Sequence, residues 1–177
     1  MHLPDTLTRI EDWLWNNAPA TARELAPPAT DADLEALRRT LGVALPDDLV
    51  TMLRWHNGGG DGDGRMTVAP GYAMLDTRGM AAITEMNRRV GSTAPPSPWP
   101  AAWLVAASSF TSSYLVVDTA DPAGAVFTFD WQDRAPAPEP TWPSLADTLA
   151  TMLHTIETGV TPDGFPVEIT PDGHLEW

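Results

Sequence analysis

The loop between residues 61 and 64 is the first place where metal chemistry is conceivable, because its aspartates alternate with glycines. Carboxylates at alternate positions, here Asp61 and Asp63, can converge on a hard cation such as calcium. The rest of the pattern is missing, since the fifth position of the loop is Arg65 and the twelfth is Tyr72, where a calcium loop has an oxygen ligand and a glutamate. A plain flexible loop is therefore favoured, and we expect no bound metal.

Other catalytic chemistry has no better support. The chain has no cysteine and no lysine, which excludes a thiolate nucleophile and a phosphate-binding loop that ends in lysine. The serines between residues 108 and 113 lack the glycine-flanked turn that exposes a hydrolase nucleophile. No two histidines have metal-ligand spacing, and the four are His2, His56, His154 and His174. The sequence predicts a protein without cofactor or catalytic centre, and an enzyme with an unrecognised site is only a third alternative.

The net charge of −14 is unevenly distributed along the chain. Residues 1–89 hold 13 acidic residues and nine arginines, whereas residues 90–177 hold 11 acidic residues and a single arginine, Arg134. A negative field of this kind repels phosphate backbones and anionic lipids, and it can steer a basic protein into contact. We therefore expect a basic protein partner rather than nucleic acid or a membrane. Solubility alone is the alternative explanation of the charge.

Two neighbouring strands of a predicted sheet suggest where that partner binds. In the later strand the aromatic residues alternate with Thr128 and Asp130, so the two sets point to opposite sides. In the earlier strand Tyr114 and Asp118 point away from Leu115. We expect a mixed polar and aromatic binding face formed by Tyr114, Asp118, Thr128, Asp130 and, just beyond the strand, Asp133. A solvated sheet face without a partner is the alternative, and a helix lying over this face would contradict the prediction.

Tryptophans are a second kind of candidate contact, because buried aromatic residues anchor protein interfaces. Most of the eight are expected in the core. Trp15 lies off the apolar face of the first predicted helix, and Trp99 lies in a proline-rich connector. We expect these two to be partly exposed and able to contact a partner.

The elements that must position these residues follow from hydrophobic periodicity. Helices are predicted at about 5–17, 30–41, 46–56, 77–90 and 144–158, and strands at 103–108, 113–119, 125–131, 165–170 and 174–177, with one or two further short strands within 65–75. Residues 18–29 are predicted to be an irregular connector. Leu49 and Leu53 are expected on the buried face of the third helix, and Met80, Ile83, Met86 and Val90 on that of the fourth.

A chain of 177 residues is enough for one hydrophobic core, so we expect a single domain over residues 1–177. No apolar stretch approaches the roughly 20 residues that span a bilayer, and the first residues are acidic where a secretory signal is basic. The expected location is the cytoplasm. Helices predicted at both ends of a mostly antiparallel sheet indicate the α+β class.

Several short motifs, read in order, resemble the SUKH superfamily, whose founding members are the yeast Smi and Knr cell-wall assembly regulators. They are Ile10-Glu11-Asp12-Trp13-Leu14, Pro28-Ala29-Thr30, Leu41-Gly42, Leu45-Pro46-Asp47-Asp48-Leu49, Trp55-His56-Asn57-Gly58, Trp103-Leu104-Val105-Ala106 and Leu115-Val116-Val117-Asp118. The resemblance covers nearly the whole chain. One departure is the segment 110–113, where many relatives have a glycine-aspartate turn.

The resemblance implies helices packed on a mostly antiparallel sheet, and a role in binding proteins without catalysis or cofactor. Bacterial members are often immunity proteins that neutralise a toxin, frequently a nuclease, by direct binding. The acidity of this chain would suit a basic toxin. A regulatory or scaffolding module related to cell-envelope assembly or signalling, as in the yeast relatives, is the alternative function.

Overall fold

A computed structural model describes residues 2–60, 65–93, 99–109, 113–132 and 139–177. Six helices lie in these residues: α1 (Leu3–Asn17), α2 (Pro19–Glu24), α3 (Asp31–Leu41), α4 (Asp47–Trp55), α5 (Thr77–Ser92) and α6 (Leu145–Thr158). The strands are β1 (Thr67–Ala69), β2 (Tyr72–Met74), β3 (Trp103–Ser108), β4 (Ser113–Asp118), β5 (Val126–Asp130), β6 (Glu168–Ile169) and β7 (Leu175–Glu176). The predicted α+β class is confirmed.

Local capping signals determine where two of the helices begin and end. Thr30 Oγ1 accepts a hydrogen bond from the backbone N–H of Asp33 at 3.2 Å, and the Asp33 carboxylate accepts from the Thr30 N–H at 2.9 Å. This reciprocal pair satisfies N–H groups that an α-helix leaves free at its start. Helix α3 stops at Gly42, whose φ of 66° suits glycine, and α6 stops in the same way at Gly159. These predicted boundaries are confirmed.

The predicted irregular connector of residues 18–29 is wrong, because it contains helix α2. Pro19 is the first helical residue, where the missing N–H costs nothing. Thr21 and Ala22 are buried on one side of this short helix. Six residues are too few for a clear apolar period, so contacts with the rest of the protein stabilise α2 rather than its sequence pattern.

The main sheet has five antiparallel strands in the order β1-β2-β3-β4-β5. Its central strands β3 and β4 are buried along nearly their whole length, and so both faces of the sheet are covered. One face, with Leu104, Leu115 and Val117, packs into a large cluster with helices α1, α3, α4 and α6. The other face carries an aromatic cluster formed by Trp99, Trp103, Val105, Tyr114, Val116 and Phe129.

Helix α5 is held against the aromatic face of the sheet by hydrogen bonds to its polar side chains. Thr84 Oγ1 accepts a hydrogen bond from the backbone N–H of Val105 at 2.9 Å, and Asn87 Oδ1 accepts from Trp131 Nε1 at 2.6 Å. The helix is therefore turned so that Met86 and Val90 are 40% and 48% exposed. Our prediction that these two side chains face inward is wrong, because hydrogen bonds to the sheet place Thr84 and Asn87 there instead.

The last strands form a separate two-stranded sheet that is fastened to α2. The backbone N–H of Leu175 donates to Thr21 Oγ1 at 2.9 Å, and the N–H of Ala20 donates to the carbonyl of Gly173 at 3.0 Å. Leu175 is buried, whereas Glu176 beside it is exposed. Within the described residues, no helix has the length and apolar character needed to cross a membrane.

Candidate protein-interaction surface

The predicted binding face on the sheet does not exist as a single face. Tyr114 pairs directly with Phe129, and Leu115 pairs directly with Thr128. Because directly paired residues point to the same side, Tyr114 lies among the aromatic residues while Thr128 lies on the opposite side. Strand periodicity predicts the alternation within each strand correctly, but the register between the two strands differs by one residue from the one that our prediction needed.

Tyr114 and Trp99 are both buried and unavailable to a partner in this structure. The ring of Trp99 stands edge-on to Phe129 with a centroid distance of 4.9 Å, and it is 6.4 Å from Tyr114. The expected exposure of Trp99 is therefore wrong, because this connector residue covers the aromatic face of the sheet. Trp15 is 49% exposed, which confirms its expected exposure, while its contact with a partner stays a prediction.

The acidic members of the predicted face hold turns in the backbone. The Asp130 carboxylate accepts hydrogen bonds from Ser113 Oγ at 2.5 Å and from the backbone N–H of Gln132 at 2.7 Å. The hydrogen bond from Ser113, and to a smaller extent that from Gln132, lowers the pKa of Asp130. Asp118 accepts from the N–H of Ala120 at 2.9 Å.

Asp118 and Asp130 do not share a side of the sheet. Asp118 lies opposite Trp103 on the aromatic side, whereas Asp130 lies opposite Ser113 on the side of Thr128. Asp133, like the calcium-like loop 61–64, lies outside the described residues. The predicted set is therefore divided: Tyr114 and Asp118 share the aromatic side, and Thr128 and Asp130 share the opposite side.

The side chains of the Trp55-His56-Asn57-Gly58 motif form hydrogen bonds that join separate parts of the fold. Asn57 Oδ1 accepts a hydrogen bond from the Thr77 N–H at 2.9 Å at the start of α5. His56 Nδ1 lies 2.6 Å from the carbonyl oxygen of Ala26, and Trp55 Nε1 donates to Glu11 at 2.8 Å. The described residues contain no group of three or more histidine or acidic side chains arranged to hold a metal ion.

His174 joins the final hairpin to α2 through two carboxylates. Its Nδ1 lies 3.1 Å from Asp172, and its Nε2 lies 3.3 Å from Glu24. Burial alone lowers the pKa of His174, but the hydrogen bonds and charges of Glu24 and Asp172 outweigh burial, so the pKa lies above the ordinary value of 6.5. The protonated imidazole is thus bound more favourably in the folded protein than in the unfolded chain.

This raised pKa predicts a pH-dependent contribution to stability. A group with a raised folded-state pKa stabilises the fold at low pH, and that stabilisation disappears as pH rises through the folded-state pKa. We expect urea unfolding to show a larger loss for His174→Gln at about pH 5.5 than at about pH 8.5. In a Glu24→Gln, Asp172→Asn background the difference between the two pH values should vanish. An equal loss at both pH values in the wild-type background would contradict the assignment.

Exposed apolar side chains mark three places on the described surface. Trp15 is on α1, Met86 and Val90 are on α5, and the third group, after α6, consists of Val160, Phe165 and Ile169. Only the third group lies in the acidic half of the chain, among Asp163, Glu168 and Glu176. This combination of exposed apolar and acidic groups is what a basic protein surface can complement.

Sequence reasoning missed this third group. The segment 165–170 alternates apolar and other residues, a pattern that predicts a strand with one buried face. In the structure the short sheet is covered only where Leu175 packs, so Phe165 and Ile169 stay exposed. No local signal in the sequence distinguishes these exposed side chains from buried ones, because Leu34, between Asp33 and Glu35, is buried.

Comparison with protein families gives one match. A family model described as the SMI1 / KNR4 family (SUKH-1) matches residues 28–151. No curated protein matches the chain. The matched region contains α3 to α5 and the whole main sheet, whereas α1, α2 and the final hairpin lie outside it.

Proposed function

The chain belongs to the SMI1 / KNR4 family (SUKH-1), and from that premise we propose that it is a cytoplasmic, non-enzymatic immunity protein that neutralises a basic toxin by direct binding. Membership of this family fits a non-enzymatic interaction or immunity-type domain. The proposal adds a partner class, a basic protein, and a surface, the acidic C-terminal half of the chain. A nuclease is the toxin type that this charge suits best, because nuclease domains are themselves basic enough to hold a phosphate backbone.

The observation that carries the proposal is the accessibility of the negative charge. Ten carboxylates lie in the described residues between 99 and 177, and none of them is buried. Seven of the ten are exposed: Glu139, Asp147, Glu157, Asp163, Glu168, Asp172 and Glu176. The only arginine of residues 90–177, Arg134, lies outside the described residues. Glu157 forms an ion pair with Arg9, but ten carboxylates with so few cations near them in sequence leave a negative surface. Such a surface attracts a basic partner over about one Debye length, roughly 8 Å at physiological salt.

Co-expression tests the proposal directly. Reading frames next to the gene that encode basic domains are expressed from an inducible promoter in a host that they kill, with and without this chain. We expect one of them to be toxic alone and harmless with the chain, and the two purified proteins to form a complex whose association rate falls steeply with salt. No toxic neighbour, or a toxic neighbour that the chain does not neutralise, would count against the immunity role. A harmless bound partner would instead favour the regulatory or scaffolding module.

A further inference from the structure

Phe165, just before the final hairpin, is the most exposed large apolar side chain in the described part of the chain. Phe165 is 66% exposed and Ile169 is 41% exposed, and both lie beyond residue 151, where the family match ends. An exposed phenylalanine costs solvation free energy that burial at an interface would recover. Membership of the family does not account for these residues, and the packing of the fold does not use them.

A groove runs beside Phe165. It has a volume of about 280 Å³ and is lined by Phe165, Pro166, Glu168, Glu176 and Trp177. A second hollow of about 230 Å³ shares Glu176 and Trp177 and is also lined by Arg65 and Thr67. The two hollows therefore meet at Glu176 and Trp177. Together they have the size of a site for one or two side chains of a partner.

The charges of the groove select what can enter it. Glu168 and Glu176 are directly paired across β6 and β7, and both are exposed. Like charges directly opposite each other destabilise a sheet, so the pairing of β6 with β7 includes one unfavourable electrostatic interaction. An arginine or lysine of a partner placed between the two carboxylates would remove that repulsion and gain charge-assisted hydrogen bonds.

The groove is held in place before any partner arrives. Both backbone polar groups of Phe165 bond to Thr161: its N–H donates to Thr161 Oγ1 at 2.9 Å, and its carbonyl accepts from the Thr161 N–H at 2.8 Å. Trp177 Nε1 donates a hydrogen bond to Thr67 Oγ1 on β1, which fixes the other wall. A preformed site loses little conformational entropy on binding.

We propose that this groove, walled by Phe165, Pro166, Glu168, Glu176 and Trp177, is the docking site for a segment of a basic protein in which an apolar side chain is flanked by arginine or lysine. The apolar side chain packs against Phe165 and Trp177, and the cation lies between Glu168 and Glu176. A second copy of this chain fits poorly, since two such faces would bring four carboxylates together. The inference rests on the proposed function and specifies where the basic partner binds.

Titration of the isotope-labelled full chain with a defined peptide tests the site. The probe is a peptide of about ten residues that alternates arginine with leucine, with two controls in which glutamate replaces arginine or serine replaces leucine. We expect the probe to shift the backbone resonances of Phe165, Glu168 and Glu176, and the control peptides to leave them unchanged. Shifts confined to other surfaces would overturn the proposal.

Paired variants separate this site from general attraction to an acidic protein. Phe165→Ser should weaken probe binding at least about tenfold, and Glu168→Gln with Glu176→Gln about fivefold with a shallower salt dependence. The matched apolar control is Val90→Ser on α5, and the matched charge control is Glu35→Gln with Glu85→Gln on α3 and α5. Both should bind like the wild type. Equal losses in test and control variants would overturn the proposal, as would a dimer that Phe165→Ser dissociates.

Failure of the site and failure of the function can be told apart. If the co-expressed toxin is neutralised as well by the Phe165→Ser variant as by the wild type, the groove is wrong and the immunity role stands. If the wild type binds the probe at the groove but protects against no neighbouring toxin, the groove stands and the immunity role is wrong. Urea unfolding of each variant checks that its fold is intact, and Phe165→Ala replaces the serine variant if that one does not fold.

Discussion

Replacing Phe129 with alanine should lower the free energy of unfolding by about 3–5 kcal/mol. Phe129 is almost completely buried, and its ring stands edge-on to Trp99, Trp103 and Trp131 at centroid distances of 4.9, 6.0 and 5.1 Å. Truncation removes these contacts and leaves a cavity that three large rings refill poorly, because each is held by its own neighbours. Urea or thermal unfolding followed by tryptophan fluorescence measures the loss.

The matched control for this prediction is Met86→Ala on α5. The sequence pattern alone predicts that Met86 is buried, whereas the structure exposes 40% of it, so we expect a loss below about 1 kcal/mol. A loss at Met86 as large as that at Phe129 would show that α5 is rotated relative to the sheet. A small loss at Phe129 would show that the aromatic residues do not form a second core.

Replacing Leu49 or Leu53 with alanine should lower the free energy of unfolding by about 2–5 kcal/mol in each case, the range for truncating a buried leucine. Both side chains are fully buried on α4, within the large cluster on the other face of the sheet. Because they lie one turn apart and share neighbours, the double variant should depart from the sum of the two single losses. Chemical denaturation of the three variants gives the values.

Arg54→Ala is the control on the same helix. Arg54 forms a 2.7 Å ion pair with Asp31, but both side chains are largely exposed, so the pair contributes less than about 1 kcal/mol. If both leucine variants lost less than about 1 kcal/mol, the buried face of α4 would be assigned wrongly.

Much of the helical structure could be predicted from the sequence because its determinants are local. The Thr30–Asp33 capping box joins residues three positions apart, and Gly42 stops α3 through its own backbone conformation. Leu49 and Leu53 recur at the spacing of one helix face. The family resemblance rests on the same local motifs, which is why the family could be recognised before the fold was known.

The orientation of α5 could not be predicted, because its apolar pattern and its tertiary contacts disagree. Met80, Ile83, Met86 and Val90 mark one face by hydrophobicity. The buried face includes Thr84 and Asn87, whose side chains accept hydrogen bonds from Val105 on β3 and from Trp131 just after β5. Those donors are distant in sequence from α5. Leaving a buried donor without a hydrogen bond costs more free energy than burying the half-exposed Met86 and Val90 would gain.

The candidate binding surface shows the same division between local and tertiary information. The acidity of residues 90–177 and the alternation within each strand could be determined from the sequence alone. The register of β4 against β5 was decided only by the tertiary structure, and it placed Tyr114 with Phe129 rather than with Thr128. Alternation is a property of one backbone, whereas register depends on the turn and on both packed faces. The exposure of Phe165 was decided in the same way, because burial requires a neighbouring layer, and no single segment of sequence specifies whether one is there.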